Sequence, residues 1–478
     1  MTPEESGRQS VSGNFIRVAR DRWTFEESQT GKPFVPIGCN YFDAHTGWPP
    51  QVWTRFDPSA VREHFRMMED LGVNAIRVWL QWSSFMPVRG ELSSKALDQC
   101  HEVLSLAKSS GIRVNLTGPE FWEGFPSWLS AETVKGYQHF MNPEYYEAHA
   151  SFWEMFSAHF AGEPVIYGFD LANEPFMPWD GTLVRTLWNQ WLMERYGSID
   201  VLKKNWRWRA SLEWGRIPPP PNRRLTGSKH LLDYQTFREE KALQWVRNSV
   251  EAIRRVDRHH LVTVGLHQSS FPCEEIIPSR YAAFAPRLLT RCLDYIALHW
   301  YPFGNPLTAS LQPFDLPGNI ERSLSIFLAN CRYSHVETPL VMEECSYYGG
   351  GSPAFWGGVL PYRTEMEQDR FSRQLFTVSR GSLSGWLNWP LQDTEEATDT
   401  SAYGGFYTGT GVLKAWGSSF RTISSRLSGK RLRRRHARVT IPLSRSLLLT
   451  DAEYCDQILR RCYKLYVQGT IWDFKFSK

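Results

Sequence analysis

From about residue 30 onward, short runs rich in apolar, β-branched and aromatic residues alternate with longer stretches of helical periodicity, the pattern of a parallel sheet whose strands are joined by crossover helices. Eight such runs can be read along the chain. They are Pro36-Ile37-Gly38-Cys39-Asn40-Tyr41, Ala75-Ile76-Arg77-Val78-Trp79, Arg113-Val114-Asn115-Leu116-Thr117, the stretch from Val165 to Leu171, Val262 to Leu266, Tyr295 to His299, Leu340 to Glu343 and Gly385 to Trp389. A helical pattern from about Ser59 to Leu71 stops at Gly72, and another from about Ser94 to Ser110 stops at Gly111. Each is followed at once by an apolar run, the cadence that a glycine C-cap produces before a strand. Eight β/α units over roughly 390 residues predict an α/β chain folded as a (β/α)8 barrel. A doubly wound open sheet would want a glycine-rich phosphate loop after its first strand, and none follows Tyr41.

The spacing between the runs divides the chain further. A β segment around Phe15 to Phe25 occupies residues 1–29, the barrel spans 30–425, and a short appendage covers 426–478. The longest insertion, about 176–230, separates the fourth and fifth runs. It carries Trp188, Trp191, Trp206 and the stiff run Pro218-Pro219-Pro220-Pro221 ahead of a long helix from about Leu231 to Arg255. Its tryptophans suit either a wall of a cleft or packing against the barrel. After Trp416 come a helical stretch from Phe420 to Leu427, the basic run Lys430 to Arg438, strand-like Val439 to Pro442 and a helix from about Asp451 to Tyr466.

Composition narrows the function classes. A chain of 478 residues, 42% hydrophobic and 22% charged, has ample material for a large core. Its net charge of +4 is too small to imply a nucleic-acid or membrane partner, and the basic run 430–438 reads as a solvated linker. Eight cysteines form no CxxC pair and have no histidine at metal-ligand spacing, so disulfides are not expected and no cysteine-based metal site is indicated. No apolar leader is visible in the polar first 22 residues and no stretch reaches the length of a membrane span, which suggests a cytoplasmic protein. The sequon Asn115-Leu116-Thr117 falls at the end of an apolar run and is expected to be buried. The 21 tryptophans exceed ordinary usage, and clefts that bind sugars use aromatic faces as platforms for pyranose rings.

The fourth run closes on Ala172-Asn173-Glu174-Pro175. In parallel barrels the chemistry sits at the carboxyl ends of the strands, which makes Glu174 a catalytic candidate. Cleavage of a glycosidic bond with retention needs a second carboxyl about 5 Å away. The seventh run supplies Glu343 and Glu344, and strict strand alternation would let only one of them face the cleft.

With these motifs the chain resembles the retaining glycoside hydrolases of the (β/α)8 clan, most closely family 5, the cellulase and mannanase family. That resemblance implies that Glu174 is the acid/base. It also implies that Glu344, in Glu344-Cys345-Ser346 where the family usually has Glu-Phe-Gly, is the nucleophile, with Glu343 as the fallback. Arg77 looks like the family's second-strand arginine, which supports the nucleophile, and Asn173 like the residue that bonds the sugar 2-hydroxyl. His299 and Tyr301 resemble the sixth-strand His-x-Tyr, with Tyr301 turned toward the nucleophile. Trp389 resembles the eighth-strand tryptophan beneath the attacked sugar. Further pocket candidates are Trp48, Trp82, Trp122, His267 and Trp356.

The mechanism so implied keeps Glu174 protonated through a raised pKa and Glu344 ionised by Arg77 and hydroxyl donors, without a cofactor. The insertion after the fourth run is similar to one in family 42 β-galactosidases and in some exo-acting β-mannosidases. It favours single terminal sugars or short oligosaccharides, mannoside or glucoside ahead of galactoside. An endo-acting mannanase or glucanase is the alternative, a silent carbohydrate-binding barrel a remoter one. The expected partner is a carbohydrate, with no nucleic acid and no membrane.

Overall fold

The computed structural model describes residues 13–46, 51–223, 225, 227–274, 277–302, 319–334, 337–351, 362–394 and 403–476. Its centre is a closed barrel of eight parallel strands: β4 (Ile37–Asn40), β5 (Ala75–Gln81), β6 (Arg113–Glu120), β7 (Ile166–Asn173), β8 (Leu261–Leu266), β9 (Ile296–Trp300), β10 (Leu340–Cys345) and β11 (Gly385–Asn388). β11 pairs with β4 to complete the circle. These are the eight runs read from the sequence, each within one to three residues of its expected ends. They are legible because strands buried on both faces become near-continuous apolar stretches.

The crossover helices follow from local signals. The helix Pro58–Leu71 starts on Asp57, whose carboxylate accepts from the Ser59 and Ala60 amides. It ends at Gly72, whose φ of 69° lies in the left-handed region a glycine enters at no cost. Its Val61, Phe65, Met68 and Leu71 form the stripe that packs on the barrel.

Before the barrel, β1 (Ile16–Val18), β2 (Phe25–Glu27) and β3 (Pro33–Phe34) form a small antiparallel sheet. Ile16, Phe25 and Phe34 pack against Ala75, Tyr167, Leu261, Tyr295, Ala297, Val341 and Leu387, residues at the amino ends of the barrel strands. This sheet therefore plugs the end of the barrel opposite the chemistry.

The insertion after β7 contributes the helices Thr182–Tyr196 and Ile199–Trp206, and the helix Lys229–Val256 runs 28 residues behind them. Trp188, Trp191 and Trp206 are buried among one another and Tyr234, Phe237 and His230, with Trp188 stacked 5.4 Å from Trp191. Of the two roles open to these tryptophans, packing is the one they occupy here, not a cleft wall.

At the carboxyl end, β12 (Val439–Leu443) pairs in parallel with β13 (Trp472–Phe476), with the helices Arg445–Thr450 and Ala452–Val467 between them. The basic run is not simply solvated. Arg431 lies 3.1 Å from Glu26 and 3.6 Å from Asp21 of the amino-terminal segment, and Arg434 lies 3.1 Å from Asp473. All eight cysteines are free thiols, Asn115 is fully buried, and no described helix is long and apolar enough to cross a membrane.

Candidate active site

Glu174 sits one residue beyond β7 with φ at 48°, a left-handed conformation that costs a residue with a Cβ about 1 kcal/mol or more. A hydrogen bond from its amide to the Gly265 carbonyl, 2.9 Å, holds it there. The bend turns its carboxylate over the barrel mouth, where its side chain keeps 27% exposure. One oxygen of Glu174, one of Glu344 and a ring nitrogen of His299 all lie within 4.8 Å of one another. That carboxylate spacing is the short one associated with retention rather than the roughly 6.5–9.5 Å of inverting pairs.

Glu344 is held by two donors. Tyr301 gives its hydroxyl proton to Oε2 at 2.7 Å, and Arg77 Nη1 donates to Oε1. Arg77 is completely buried and spans the barrel interior. Its Nε and Nη2 reach Asp170 Oδ2 at 3.0 and 2.7 Å, and Nη2 also donates to Asn173 Oδ1 at 3.0 Å. Burial opposes the guanidinium charge, but Glu343, Asp170 and Glu344 outweigh it and hold its pKa above the ordinary arginine value.

The alternation argument does not hold for Glu343 and Glu344. The register of β10 shifts against both neighbours after Met342, a bulge that puts two consecutive side chains on the inner face. Glu344 ends at the mouth, while Glu343 points into the core, accepts from Asn115 Nδ2 at 2.6 Å and lies 3.5 Å from both Arg77 and His299. Burial, with Asp170 adding to it, raises the Glu343 pKa and favours its neutral form.

The protonation expected of Glu174 also differs. His299 Nδ1 lies 3.0 Å from Glu174 Oε1. Burial pushes the Glu174 carboxyl up, yet His267, the His299 hydrogen bond and Arg77 outweigh it and hold it down to about 2. Burial disfavours the His299 cation, but Glu344, Glu174 and Glu343 raise its pKa to about 10. Without substrate, the proton of this pair therefore rests on the imidazole, one hydrogen bond from the carboxylate.

The remaining expected residues divide. Trp389 packs on Phe42 and Trp79 with centroids 5.2 Å from each, and Trp122 stacks on Trp79 at 5.4 Å, so these rings form one aromatic surface. His267 lies beside Glu174 and edges the Phe176 ring at 5.5 Å. Trp82 is not a pocket residue: it is fully buried among Trp128, Tyr145, His149 and Phe152. Trp48 and Trp356 lie outside the described residues.

No motif marks Asp170, Asn40, Thr117 or Glu120, yet all belong to the network. Asp170 accepts from Arg77, from the Thr117 hydroxyl at 2.8 Å and from the Gly265 amide at 2.6 Å. Asn40 Oδ1 accepts from Arg77 Nη1 at 3.3 Å. Glu120 accepts from the Asn173 amide at 2.6 Å, and burial, partly offset by that bond, raises its pKa to about 8. The signal for such residues is a polar side chain inside an otherwise apolar strand, where burial without a partner would be too costly.

The (β/α)8 barrel is a fold this chain shares with solved β-mannosidases and β-galactosidases. Residues 48–285, just under half of the chain, match the glycoside hydrolase family 42 model described as β-galactosidase. The chain is 28% identical over 226 residues to the β-galactosidase YesZ of Bacillus licheniformis, covering 43% of this chain and 34% of that protein. It thus spans about a third of the length of that relative. Among solved structures it is similar to the exo-β-1,4-mannosidase Op5Man5 of Opitutaceae bacterium strain TAV5, with TM-score 0.65, 16% identity and coverage of 96% of this chain and 72% of that one. The cold-adapted β-galactosidase of Rahnella sp. R3 gives TM-score 0.71 and 16% identity, covering 94% and 65%.

Proposed function

We propose that the chain is a retaining β-glycoside hydrolase that removes terminal sugars or acts on short oligosaccharides, with Glu344 as nucleophile and Glu174 as acid/base. The observation that carries this is the approach of the two carboxylates to within 4.8 Å, one of them clasped by Arg77 and Tyr301 and the other bonded to a histidine. Glu344 attacks the anomeric carbon and forms a glycosyl ester while the aglycone leaves with a proton from Glu174. Water, deprotonated by Glu174, then releases the sugar with its original configuration.

His299 gives this sequence its proton logic. Its cation is sustained mainly by the charge of Glu344, and ester formation consumes that charge. As the imidazolium loses its partner, its proton passes along the 3.0 Å hydrogen bond to Glu174 and on to the departing oxygen. Glu343, deeper in the barrel and accepting from Asn115, stays outside the chemistry.

For substrate, β-mannosides or β-glucosides come first and β-galactosides second. The fold likeness to an exo-β-1,4-mannosidase, over 96% of this chain and 72% of that one, supports the former, and the β-galactosidase family match over 48–285 supports the latter. Eight free cysteines fit a reducing, cytoplasmic setting. A panel of aryl β-mannosides, β-glucosides and β-galactosides tests the proposal: one sugar should turn over, and Glu174→Gln should lower its kcat about 10²–10⁴-fold. Absence of turnover on every sugar would reject the enzyme and leave a carbohydrate-binding barrel.

A further inference from the structure

We infer that the loop leaving β4 and the helix Pro58–Leu71 together form a binding site for a zinc-type divalent cation, with Asp43, His45 and His64 as its ligands. One donor atom from each of the three lies within 4.8 Å of the others. A tetrahedral ion with bonds of about 2.0–2.1 Å needs donors about 3.4 Å apart, so only a small rotation separates this cluster from a coordinating one. Asp43 Oδ1 and His45 Nδ1 stand 3.2 Å apart in a hydrogen bond that the ion would replace.

A purely structural role accounts for part of the cluster. Asp43 Oδ1 accepts from the His45 amide at 2.9 Å and fixes the short turn Ala44–Thr46. That explains neither why a third donor, from a residue on a different element, converges there nor how that donor is set. His64 is 4% exposed, and its Nδ1 is engaged by the buried hydroxyl of Tyr41 at 3.2 Å. Histidines that bind metals are oriented in this way: a neighbour outside the ligand set holds one ring nitrogen and the other presents its lone pair. Tyr41, edge-on to the His64 ring at 5.7 Å, supplies both the hydrogen bond and the wall.

The donor set of one carboxylate and two imidazoles suits zinc and its neighbours rather than calcium or magnesium, which take mostly oxygen. Three protein ligands leave a fourth position for water. The ion would tie the loop after the first barrel strand to the first crossover helix, beside Phe42, whose ring packs on Trp389 and Trp79. Its role is to stiffen that edge of the aromatic surface. The inference stands whether or not the chain is a glycosidase.

Zinc uptake by the full chain, measured in competition with a chromophoric chelator, tests it, with the visible spectrum of the cobalt-loaded protein as a second readout. The parent should take up one ion per chain and show intense tetrahedral cobalt bands. His45→Ala, whose side chain is exposed and whose loss threatens no packing, and Asp43→Asn should abolish both signals. Tyr41→Phe should weaken uptake about 10- to 100-fold. His101→Ala, which breaks a close histidine pair elsewhere, His101 and His159 at 3.0 Å, should change nothing. No uptake by the parent, uptake unchanged in His45→Ala and Asp43→Asn, or loss in His101→Ala would overturn the assignment.

Discussion

At the scale of single residues, the balance between His299 and Glu174 decides how the site handles protons. The folded chain holds the imidazole pKa at about 10, and the hydrogen bond that helps do so also helps His267 and Arg77 hold Glu174 at about 2. The pair carries its working proton up to the alkaline range, so kcat/KM should persist well above neutrality before falling. Replacing His299 with Asn removes the reservoir and lets burial raise the Glu174 carboxyl. The alkaline limb of kcat/KM should then move to lower pH by more than one unit, while some turnover survives. A limb that stays where it is would show that His299 has no part in the proton path. Glu174 was legible from its strand-end motif, and Glu344, Arg77 and Tyr301 from the resemblance to family 5. The inward placement of Glu343 beside Glu344 was not, because a bulge after Met342 puts neighbouring residues on one face and strand alternation carries no information about it.

At the scale of elements, every barrel strand was visible in the hydrophobic pattern, since burial on both sides leaves long apolar runs that turns and glycine caps then separate. The small amino-terminal sheet was seen only as a β segment. Its strands are two or three residues long, too short for periodicity to register, and their value lies in what they cover. Phe25 is 1% exposed and meets Tyr295 edge-on at 5.5 Å, closing the barrel floor. Phe25→Ala should destabilise the fold by about 3–5 kcal/mol in denaturant unfolding while leaving kcat per folded molecule unchanged. A matching fall in kcat would mean that the plug also shapes the catalytic end. The β8 glycine illustrates a different kind of signal. A Cβ on Gly265 would come within 2.8 Å of both Arg77 and His299, so the strand must lack a side chain there for the network to fit.

Across the whole molecule, the barrel interior is a polar column inside an apolar shell. Arg77 joins Asp170, Asn40, Thr117, Asn173 and Glu344, and Glu120 reaches the same column through the Asn173 amide. Such a network makes stability depend on pH. The Glu120 pKa is raised to about 8 in the folded chain, so its contribution is complete below the ordinary carboxylate range and is lost as pH rises through about 8. Glu120→Gln keeps an acceptor for the Asn173 amide without a titrating proton, and the fall in Tm between pH 5 and 9 should become shallower. An unchanged slope would mean that Glu120 is not buried as a neutral acid.

In the proposed mechanism Glu344, and not the adjacent Glu343, forms the covalent bond to the sugar. Its most direct test is to trap the intermediate with an activated 2-deoxy-2-fluoro glycoside of whichever sugar the panel selects, and to locate the adduct by peptide mass spectrometry. One sugar per chain, attached at Glu344, is the expected result. A label on Glu343, or an active protein that never accumulates an adduct, would contradict it.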